Sequence, residues 1–372
     1  MNVHVGQSEE TIIELMELST TAENIISPQG SKPNIAIVQD SLLGAFLMTK
    51  DNMKLTKNQF FDIMMNGQKD GKLSCLWSFE KENIIKEVLE MKGKDVEVFN
   101  GRGLFSMLLP NDFIYEKKNE AHPTEPYVKI YKGVMYEGAL NKANLGASYN
   151  SIIQVLHKEY GKKVCADFIS NIQFITNNWL LVHSFSIGLG DCLINSQNSL
   201  DKIQDKISKC YFEADGIADT TRNPSIREIR VTASLSKAKD VGMKIAKDSM
   251  AKDNNFLSTV GSGSKGDFFN IAQLTGLLGQ QNLQGQRVSH MINHCKRTLV
   301  HYPFGKLDRE IEYESRGFIR HSFIEGLNPQ EFFFHAMSGR EGICDKHCVT
   351  NRRLPIFEWG KQCYRLVVSI FN

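Results

Sequence analysis

Three carboxylates in the stretch EADGIAD are the first residues whose types could do chemistry. Glu213, Asp215 and Asp219 carry oxygen ligands, and carboxylates of this kind hold Mg²⁺ for phosphoryl transfer. The stretch lies among charges of both signs, where a solvated loop is the plainer interpretation. The sequence has neither a DxDxD cluster nor a GxSxG nucleophile turn. No catalytic residue is therefore assigned to this chain.

Histidines and cysteines near residue 290 raise the question of zinc. His290 and His294 stand at helical i, i+4 spacing, with Cys295 and His301 nearby. A zinc site also needs a second ligand pair at a standard spacing, and none follows. CDKHC at 344–348 has the same weakness, and the eight cysteines form no CxxC pair. The sequence predicts reduced, mostly buried thiols and no metal on this chain.

A glycine- and amide-rich segment runs from 254 to 287. GSGSKG at 261–266 has the spacing of a dinucleotide-binding turn, but a poor strand precedes it, and Gln280 and Gln281 stand where an acid is needed. A packed glycine turn is favoured. GQQNLQGQR at 279–287 carries amides and an arginine, which suit hydrogen bonds to bases, sugars or phosphates and also suit a polar turn.

The elements that position these groups need more than one domain. The chain has 372 residues, 41% of them hydrophobic, and a formal net charge of +2. These values predict a folded protein of two or more domains and neither demand nor exclude a nucleic-acid partner. The sequence has no run of 18 apolar residues and no signal peptide, which predicts no membrane partner.

The periodicity of the first 150 residues predicts an α+β chain. An amphipathic helix is predicted over 7–20, capped by Ser8, and a strand is predicted around Val3 and Val5. A turn and then a short apolar strand are predicted within 27–40. Strand-like runs alternate with Gly, Pro and Asn turns over 51–150.

Longer helices follow. They are predicted at 148–160 and 164–182, and Gly188 and Gly190 are expected to stop the second. The highly charged stretch 195–253 predicts two long, exposed helices, arranged as an antiparallel pair.

The stretch 327–345, LNPQEFFFHAMSGREGICD, predicts a helix of unusual character. Asn328 is placed to cap it, Pro329 occupies the first helical position, and an acid follows in the first turn. Three consecutive phenylalanines point in several directions, which indicates a helix covered on most sides. Gly339 and Gly342 would ease bending by about 1 kcal/mol each relative to alanine.

Several blocks together resemble the largest subunit of multisubunit DNA-directed RNA polymerases, more the eukaryotic, archaeal and large-DNA-virus enzymes than the bacterial ones. The blocks stand in the family's order and spacing over roughly residues 1–345: MNVHVGQSEET, SPQGSKPNIAIVQDSLLGAFLMT, NNWLLVHSFSIGLGD, GSGSKGDFFNIAQLTGLLGQQNLQGQRV and ESRGFIRHSFIEGLNPQEFFFHAMSGREGICD.

The resemblance implies an α+β multidomain fold. Its expected parts are the tail of the double-psi barrel active-site domain (1–50), an α+β pore domain (51–182), an α-helical funnel with a charged hairpin (183–310), and a cleft segment with the first half of the bridge helix (311–345). Residues 346–372 do not resemble the family, and Pro355 would break a helix. Intron read-through or a frameshift is the expected origin of this tail.

The resemblance also implies which residues line the pore-side face of the bridge helix, in a shaping role without chemistry. They are Lys265, Gln273, Gln280, Gln281, Arg287, His335, Gly339 and Glu341. The family's catalytic loop holds Mg²⁺ with three aspartates and would lie just before the residue that aligns with Met1. We therefore expect Mg²⁺ in the assembled enzyme, no metal on this chain, and no activity from the chain alone, because two-metal phosphoryl transfer needs that carboxylate cage.

The implied activity is template-directed RNA synthesis from ribonucleoside triphosphates. The implied partners are the second-largest subunit, the remainder of the largest subunit, template DNA and RNA. The expected location is inside the cell, in the nucleus, or in the host cytoplasm or virion for a viral enzyme. Two alternatives stay open at this point: an inert fragment that acts as a binding protein, and the product of a split gene.

Overall fold

The structure, a computed structural model, describes residues 5–50, 52–69, 72–119, 125–193, 197–250, 254–305 and 307–344. These residues form thirteen α-helices, one 3₁₀ helix and nine short strands in four antiparallel sheets. The predicted mixture of α and β structure is confirmed. The described residues divide into two compact units: a first unit of 5–186 with Ser258–Lys265, and a second unit of Ile187–Leu257 with 266–344.

The elements up to residue 186 belong to the first unit. Its helices are α1 (Glu9–Leu18), α2 (Gln39–Lys50), α3 (Lys57–Met64), α4 (Phe79–Met91), α5 (Gly101–Met107), α6 (Lys142–Leu145) and α7 (Ile152–His183). Its strands are β1 (Gly67–Lys69), β2 (Lys72–Ser74), β3 (Tyr115–Lys118), β4 (Tyr127–Tyr131) and β5 (Val134–Glu137). Strand β1 pairs with β2, and β3, β4 and β5 form one sheet in that order.

The second unit begins with the 3₁₀ helix Leu189–Cys192. Its helices are α8 (Gln197–Thr220), α9 (Pro224–Ser249), α11 (Phe268–Thr275), α12 (Arg309–Ser315) and α13 (Pro329–Cys344). Its strands are β6 (Gly279–Gln280), β7 (Asn282–Leu283), β8 (Gln286–Arg287) and β9 (Phe318–Ile319). Helix α10 (Asn255–Ser262) begins in the second unit and ends in the first.

Helix α2 lies at the centre of the first core. All residues from Ser41 to Thr49 are buried, as expected for a helix that is apolar on every side. It packs against α7 and α5. The hydroxyl of Thr49 donates to the carbonyl of Ala45 at 2.7 Å and accepts from the amide of Leu140 at 2.9 Å, so this buried polar group is satisfied.

Helices whose ends are set by a nearby capping residue start where the sequence predicts. The hydroxyl of Ser8 accepts from the amide of Thr11 at 3.2 Å and caps α1. The charged antiparallel pair is confirmed as α8 and α9, and Asn223 caps the second of them ahead of Pro224. These ends are predictable because the cap and the groups that it satisfies are neighbours in the sequence.

Two predictions of element ends and types were wrong. Residues 27–40 contain no strand: Ile26 and Pro33 form an isolated bridge, and the amide of Ile37 bonds the carbonyl of Leu145. The apolar residues of this stretch are explained by the burial of Ile37 in the core and not by pairing with another strand. Helix α7 ends at His183, before the glycines expected to stop it, because Ser184 adopts a φ of +60° and its amide caps the carbonyl of Leu180.

The stretch 213–219, expected as a solvated loop, lies inside α8. Two of its three carboxylates, Asp215 and Asp219, are engaged by α12. The Tyr313 hydroxyl donates to Asp215 at 2.7 Å, and Arg309 donates to both carboxylate oxygens of Asp219 at 3.0 Å. The stretch is helical and not a loop because these partners, which are distant in the sequence, stabilise one face of the helix.

Some expectations fall outside the described residues. They are the predicted strand at Val3, most of CDKHC and the whole tail 346–372. Val5 is described and is not in a strand. No helix in the described part of the chain is long and apolar enough to cross a membrane.

Lys81 in α4 makes the stability of the first unit depend on pH. The residue is 5% exposed, and its Nζ atom has no hydrogen-bond partner among the described residues. Burial lowers its pKa from 10.5 to about 8, with Asp112 acting weakly in the opposite sense. The unfolded chain therefore holds this proton between about pH 8 and 10.5 while the folded chain releases it, so stability rises with pH in that window.

Lys81→Met is expected to raise stability at pH 7 and to flatten this rise. Urea midpoints at pH 7.0 and 9.5 measure both effects, and the window stays below the range in which the buried Tyr115, with a pKa raised to about 12, would contribute. Lys86→Met is the matched control, because Lys86 lies on the same helix, is 44% exposed and pairs with Glu82. An unchanged pH dependence in Lys81→Met would contradict the argument.

Candidate functional site: the amide hairpin and helix α13

Residues 279–287 form a hairpin rich in amides, which we call the amide hairpin. Strands β7 and β8 pair Asn282 with Arg287, and β6 pairs with β9. Gln284 and Gly285 connect the strands, both with positive φ, as a two-residue hairpin turn requires. The carbonyl of Gly317 accepts from the amide of Gln281 at 2.8 Å and fixes the base of the hairpin.

The side chain of Gln280 is used within the fold. It is 8% exposed, and its amide nitrogen donates to the carbonyls of Gln281 at 2.8 Å and Arg316 at 2.9 Å. Its carbonyl oxygen is buried without a partner among the described residues. The amide of Gln280 therefore shapes the hairpin from inside.

Arg287 is a buried anchor for the hairpin. Its side chain is 3% exposed, and its Nε and Nη2 atoms donate to the carboxylate of Glu228 on α9 at 2.8–3.0 Å. Arg316 donates to the same carboxylate at 2.7 Å. Burial would raise the pKa of Glu228, but the hydrogen bond from Arg316 and the charge of Arg287 outweigh it and hold that pKa below its usual value. Burial and then the charge of Arg316 lower the pKa of Arg287.

Helix α13 begins as the sequence predicts. Pro329 is its first residue, and the amide of Asn328 donates to the carboxylate of Glu331 at 3.0 Å. Glu331 is 5% exposed and also bonds Nδ1 of His321 at 2.8 Å. A buried acid in the first turn is favourable because it meets backbone amides and the positive end of the helix dipole.

One face of α13 meets the amide hairpin. The amide of Gln284 donates to the carboxylate of Glu341 at 2.6 Å. Two longer contacts join Ser338 to the carbonyl of Asn282 at 3.5 Å, and Nδ1 of His335 to Oε1 of Gln281 at 3.4 Å. Positions 335, 338 and 341 recur every three residues and so share a face of the helix.

A cavity of about 560 Å³ lies beside this contact. Leu283 and Gln286 of the hairpin line one side, and Phe333, Met337 and Arg340 of α13 line another. The three phenylalanines of α13 differ in exposure: Phe334 is 1% exposed, whereas Phe332 and Phe333 are 62% and 48% exposed. The helix therefore presents two aromatic side chains beyond its contacts within this chain.

Comparison with known proteins decides the family. The model described as "RNA polymerase Rpb1, domain 3" matches residues 24–192, and "RNA polymerase Rpb1, domain 4" matches residues 217–319. The chain belongs to the Rpb1 family. The protein named "Probable DNA-directed RNA polymerase II subunit RPB1 homolog" of Invertebrate iridescent virus 6 is 45% identical over 367 residues, which cover 93% of this chain. The match covers 34% of that relative, so this Rpb1 segment spans about a third of the relative's length.

The predicted resemblance to the polymerase largest subunit is confirmed by these matches. Five of the predicted lining residues lie within the domain 4 match, and His335, Gly339 and Glu341 lie beyond it. The structure brings Gln280, Gln281 and Arg287 into one hairpin and places His335 and Glu341 against it. The role of these residues in lining a pore stays a prediction.

Three predicted residues of the Rpb1 segment stand apart from that contact. Gln273 lies on α11, where its backbone carbonyl accepts from the amide of Phe323 at 3.1 Å. Lys265 is exposed and belongs to the first unit. At Gly339 and at Gly342 an added Cβ would meet no atom within 4 Å, so neither glycine is required for space within the chain.

The histidines near 290 are arranged differently from the expected helix. Asn293, His294 and Cys295 have φ values of 59°, 57° and 60°, so the i, i+4 geometry of a helix is absent. No group of three or more His, Cys, Asp or Glu side chains suited to a metal occurs within the described ranges. GSGSKG ends helix α10 at Ser262 and continues as the favoured glycine turn, with positive φ at Gly263 and Gly266.

Glu228, Arg316, Asn282 and Ser338 are parts of this site that the sequence did not reveal. Glu228 lies in a helix whose charges are of mixed sign, and its partner Arg287 is 59 residues away. Only the cross-strand pair of Asn282 and Arg287 had a local signal, namely the QG turn between them. Packing had to bring the others together.

Proposed function

We propose that this Rpb1 segment helps to shape the channel by which nucleotides enter a DNA-directed RNA polymerase and forms part of its bridge helix. The observation that carries the proposal is the docking of α13 on the amide hairpin through Glu341, and the resemblance of residues 327–345 to the polymerase largest subunit is the reason for taking α13 as the candidate bridge helix. Helix α13 is anchored in its first turn by the buried carboxylate of Glu331 and presents the exposed side chains of Phe332 and Phe333.

The proposal assigns the parts of the chain to family domains. Residues 1–50 end a double-psi barrel, 51–182 form the pore domain, 183–310 form the funnel with α8 and α9, and 311–345 form the cleft segment and the start of the bridge helix. The matches to Rpb1 domains 3 and 4 support this order. The proposed activity of the whole enzyme is RNA synthesis on a DNA template, together with the second-largest subunit and the remainder of the largest subunit.

The described residues do not fit the magnesium ion of that reaction. They contain no cluster of three or more suitable ligands, and the nearest candidates, Asp215 and Asp219, are engaged by Tyr313 and Arg309. No chemical step is therefore assigned to this chain. Its residues bind and position, and we propose that the chain alone does not join nucleotides.

A segment exchange tests the proposal. The matching region of the Invertebrate iridescent virus 6 homolog is replaced by this sequence, and the assembled enzyme is assayed for Mg²⁺- and template-dependent incorporation of ribonucleotides. The exchanged enzyme is expected to keep activity because the two sequences are 45% identical over 367 residues. The purified 372-residue chain, as the second arm, is expected to incorporate none.

Each of the two experiments has a result that would contradict the proposal. An exchanged subunit that assembles fully yet makes no RNA would overturn the proposed role of the segment. Template-dependent incorporation by the chain alone would overturn its assignment as a non-catalytic part.

A further inference from the structure

The amide hairpin touches a separate helix on each of its two sides. On one side Glu341 of α13 accepts from the amide of Gln284, at the turn of the hairpin. On the other side Arg287, at the end of the hairpin, is held by Glu228 of α9. The hairpin therefore links α9 and α13 through hydrogen bonds at both of its ends.

The two attachments differ in strength. A bidentate, charge-assisted pair with a buried arginine is among the strongest polar contacts that proteins form. The Nη1 atom of Arg287 has no hydrogen-bond partner in the described chain, and the guanidinium stacks toward Tyr313 at 5.8 Å. The side-chain hydrogen bonds of Arg287 in the described structure thus all end on Glu228, which makes that carboxylate the side-chain anchor of the hairpin.

Arg316 adds a second reason for this dependence. It donates to Glu228 at 2.7 Å and to the carbonyl of Val288 at 3.3 Å, and its own carbonyl accepts from Gln280. One carboxylate thus orients two arginines, and both arginines contact the base of the hairpin. Removing its charge would leave two cations side by side, which is unfavourable because the Arg287 side chain is buried, although Glu228 itself is 39% exposed.

We propose that Glu228 is a positioning residue for α13. It fixes Arg287 and Arg316, these fix the amide hairpin, and the hairpin holds the last turn of α13 (Pro329–Cys344) through Glu341. The consequence for nucleotide addition rests on the proposed function, whereas the structural relay does not. Glu228 is 59 residues from Arg287, and its hydrogen bonds in the described residues run to Arg287 and Arg316, so we expect its effect on α13 to pass through the residues that these arginines hold.

Hydrogen exchange on the purified chain tests the relay. In Glu228→Gln the amide of Gln284 is expected to exchange at least about tenfold faster, because the hairpin loses its anchor and opens more often. Asp219→Asn is the matched control: it removes a carboxylate that also accepts two bonds from one arginine, but on an exposed pair. It is expected to change the exchange of Gln284 by less than about twofold.

Two further variants keep the test decisive if Glu228→Gln folds poorly. Glu228→Asp keeps the charge and is expected to restore most of the protection of Gln284. Glu341→Gln weakens the α13 end of the path and leaves both arginines paired. If Glu228 and Glu341 act through the same hairpin, their effects on the exchange of the Gln284 amide overlap. The double variant Glu228→Gln/Glu341→Gln is then expected to exchange no faster than the product of the two single-variant factors.

The functional arm uses the exchanged polymerase. The rate of single-nucleotide addition per stalled elongation complex is expected to fall about tenfold in Glu228→Gln, with KM for the nucleotide changed less than about twofold, as misplacement of a positioning element would cause. A merely structural role would lower the number of complexes and leave the rate per complex unchanged.

The outcomes separate the two proposals. If the unsubstituted exchanged enzyme makes no RNA, the proposed function fails while the exchange experiment still judges the relay. If Glu228→Gln matches Asp219→Asn in the protection of Gln284, the relay is overturned. If the protection is lost but the rate per complex is unchanged, Glu228 holds the hairpin without positioning α13 for nucleotide addition, which also overturns the proposal.

Discussion

Replacing Trp179 with alanine is expected to lower the free energy of unfolding of the first unit by about 3–5 kcal/mol. Trp179 is 1% exposed and is among the largest fully buried side chains of the described chain. It lies on the inward face of α7 with Phe168, Ile172 and Ile175, and it stacks on His183 at 4.4 Å. Its removal would leave a cavity that neighbours from α2 cannot fill, because those residues are themselves closely packed.

Leu181→Ala supplies the control for this prediction. Leu181 is two residues further along the same helix but 81% exposed, so its truncation is expected to change stability by less than about 0.5 kcal/mol. Urea unfolding followed by far-UV circular dichroism, fitted to two transitions for the two units, measures both variants. Equal midpoints for Trp179→Ala and the unsubstituted chain would show that α7 does not close this core.

Gly101→Ala is the second substitution expected to have a large effect, about 3 kcal/mol. Gly101 starts α5 where that helix crosses α2, and an added Cβ would lie 1.8 Å from the carbonyl oxygen of Met48. The obstacle is backbone and not a flexible side chain, so α5 or α2 must move to admit it. Movement of either helix disturbs the neighbours that pack α2 on all sides.

Gly216→Ala is the matched comparison. Gly216 lies in the interior of α8, where an added Cβ would meet no atom within 4 Å. This change is expected to stabilise the second unit by up to about 1 kcal/mol, since alanine loses less backbone entropy in a helix. A loss of stability in Gly101→Ala no greater than the gain in Gly216→Ala would mean that α5 and α2 are not in close contact.

Local signals explain which elements could be predicted. Helices α1 and α9 start directly after Ser8 and Asn223, whose side chains accept from amides of the first turn. Helix α13 starts at Pro329, and the carboxylate of Glu331 in its first turn accepts from the amide of Asn328. The failures involve distant partners. The stretch 27–40 was expected to pair in a sheet, and its amide at Ile37 instead bonds residue 145.

The candidate site shows the same division. The lining residues came from a resemblance that Rpb1 matches confirm at the level of the family. The turn of the hairpin was readable from its glycine. The burial of Arg287 and its pairing with Glu228 were not readable, because an arginine in a polar, amide-rich segment is expected to be solvated.

The sequence by itself determined the helical periodicities, the caps, the turns and the family, since each depends on residue types at short, fixed spacings. Tertiary structure alone decided that Glu228 meets Arg287 and that Glu341 meets Gln284, across 59 and 57 residues. The physical reason is that a charge is desolvated, and so comes to depend on one partner, only after distant elements have packed around it.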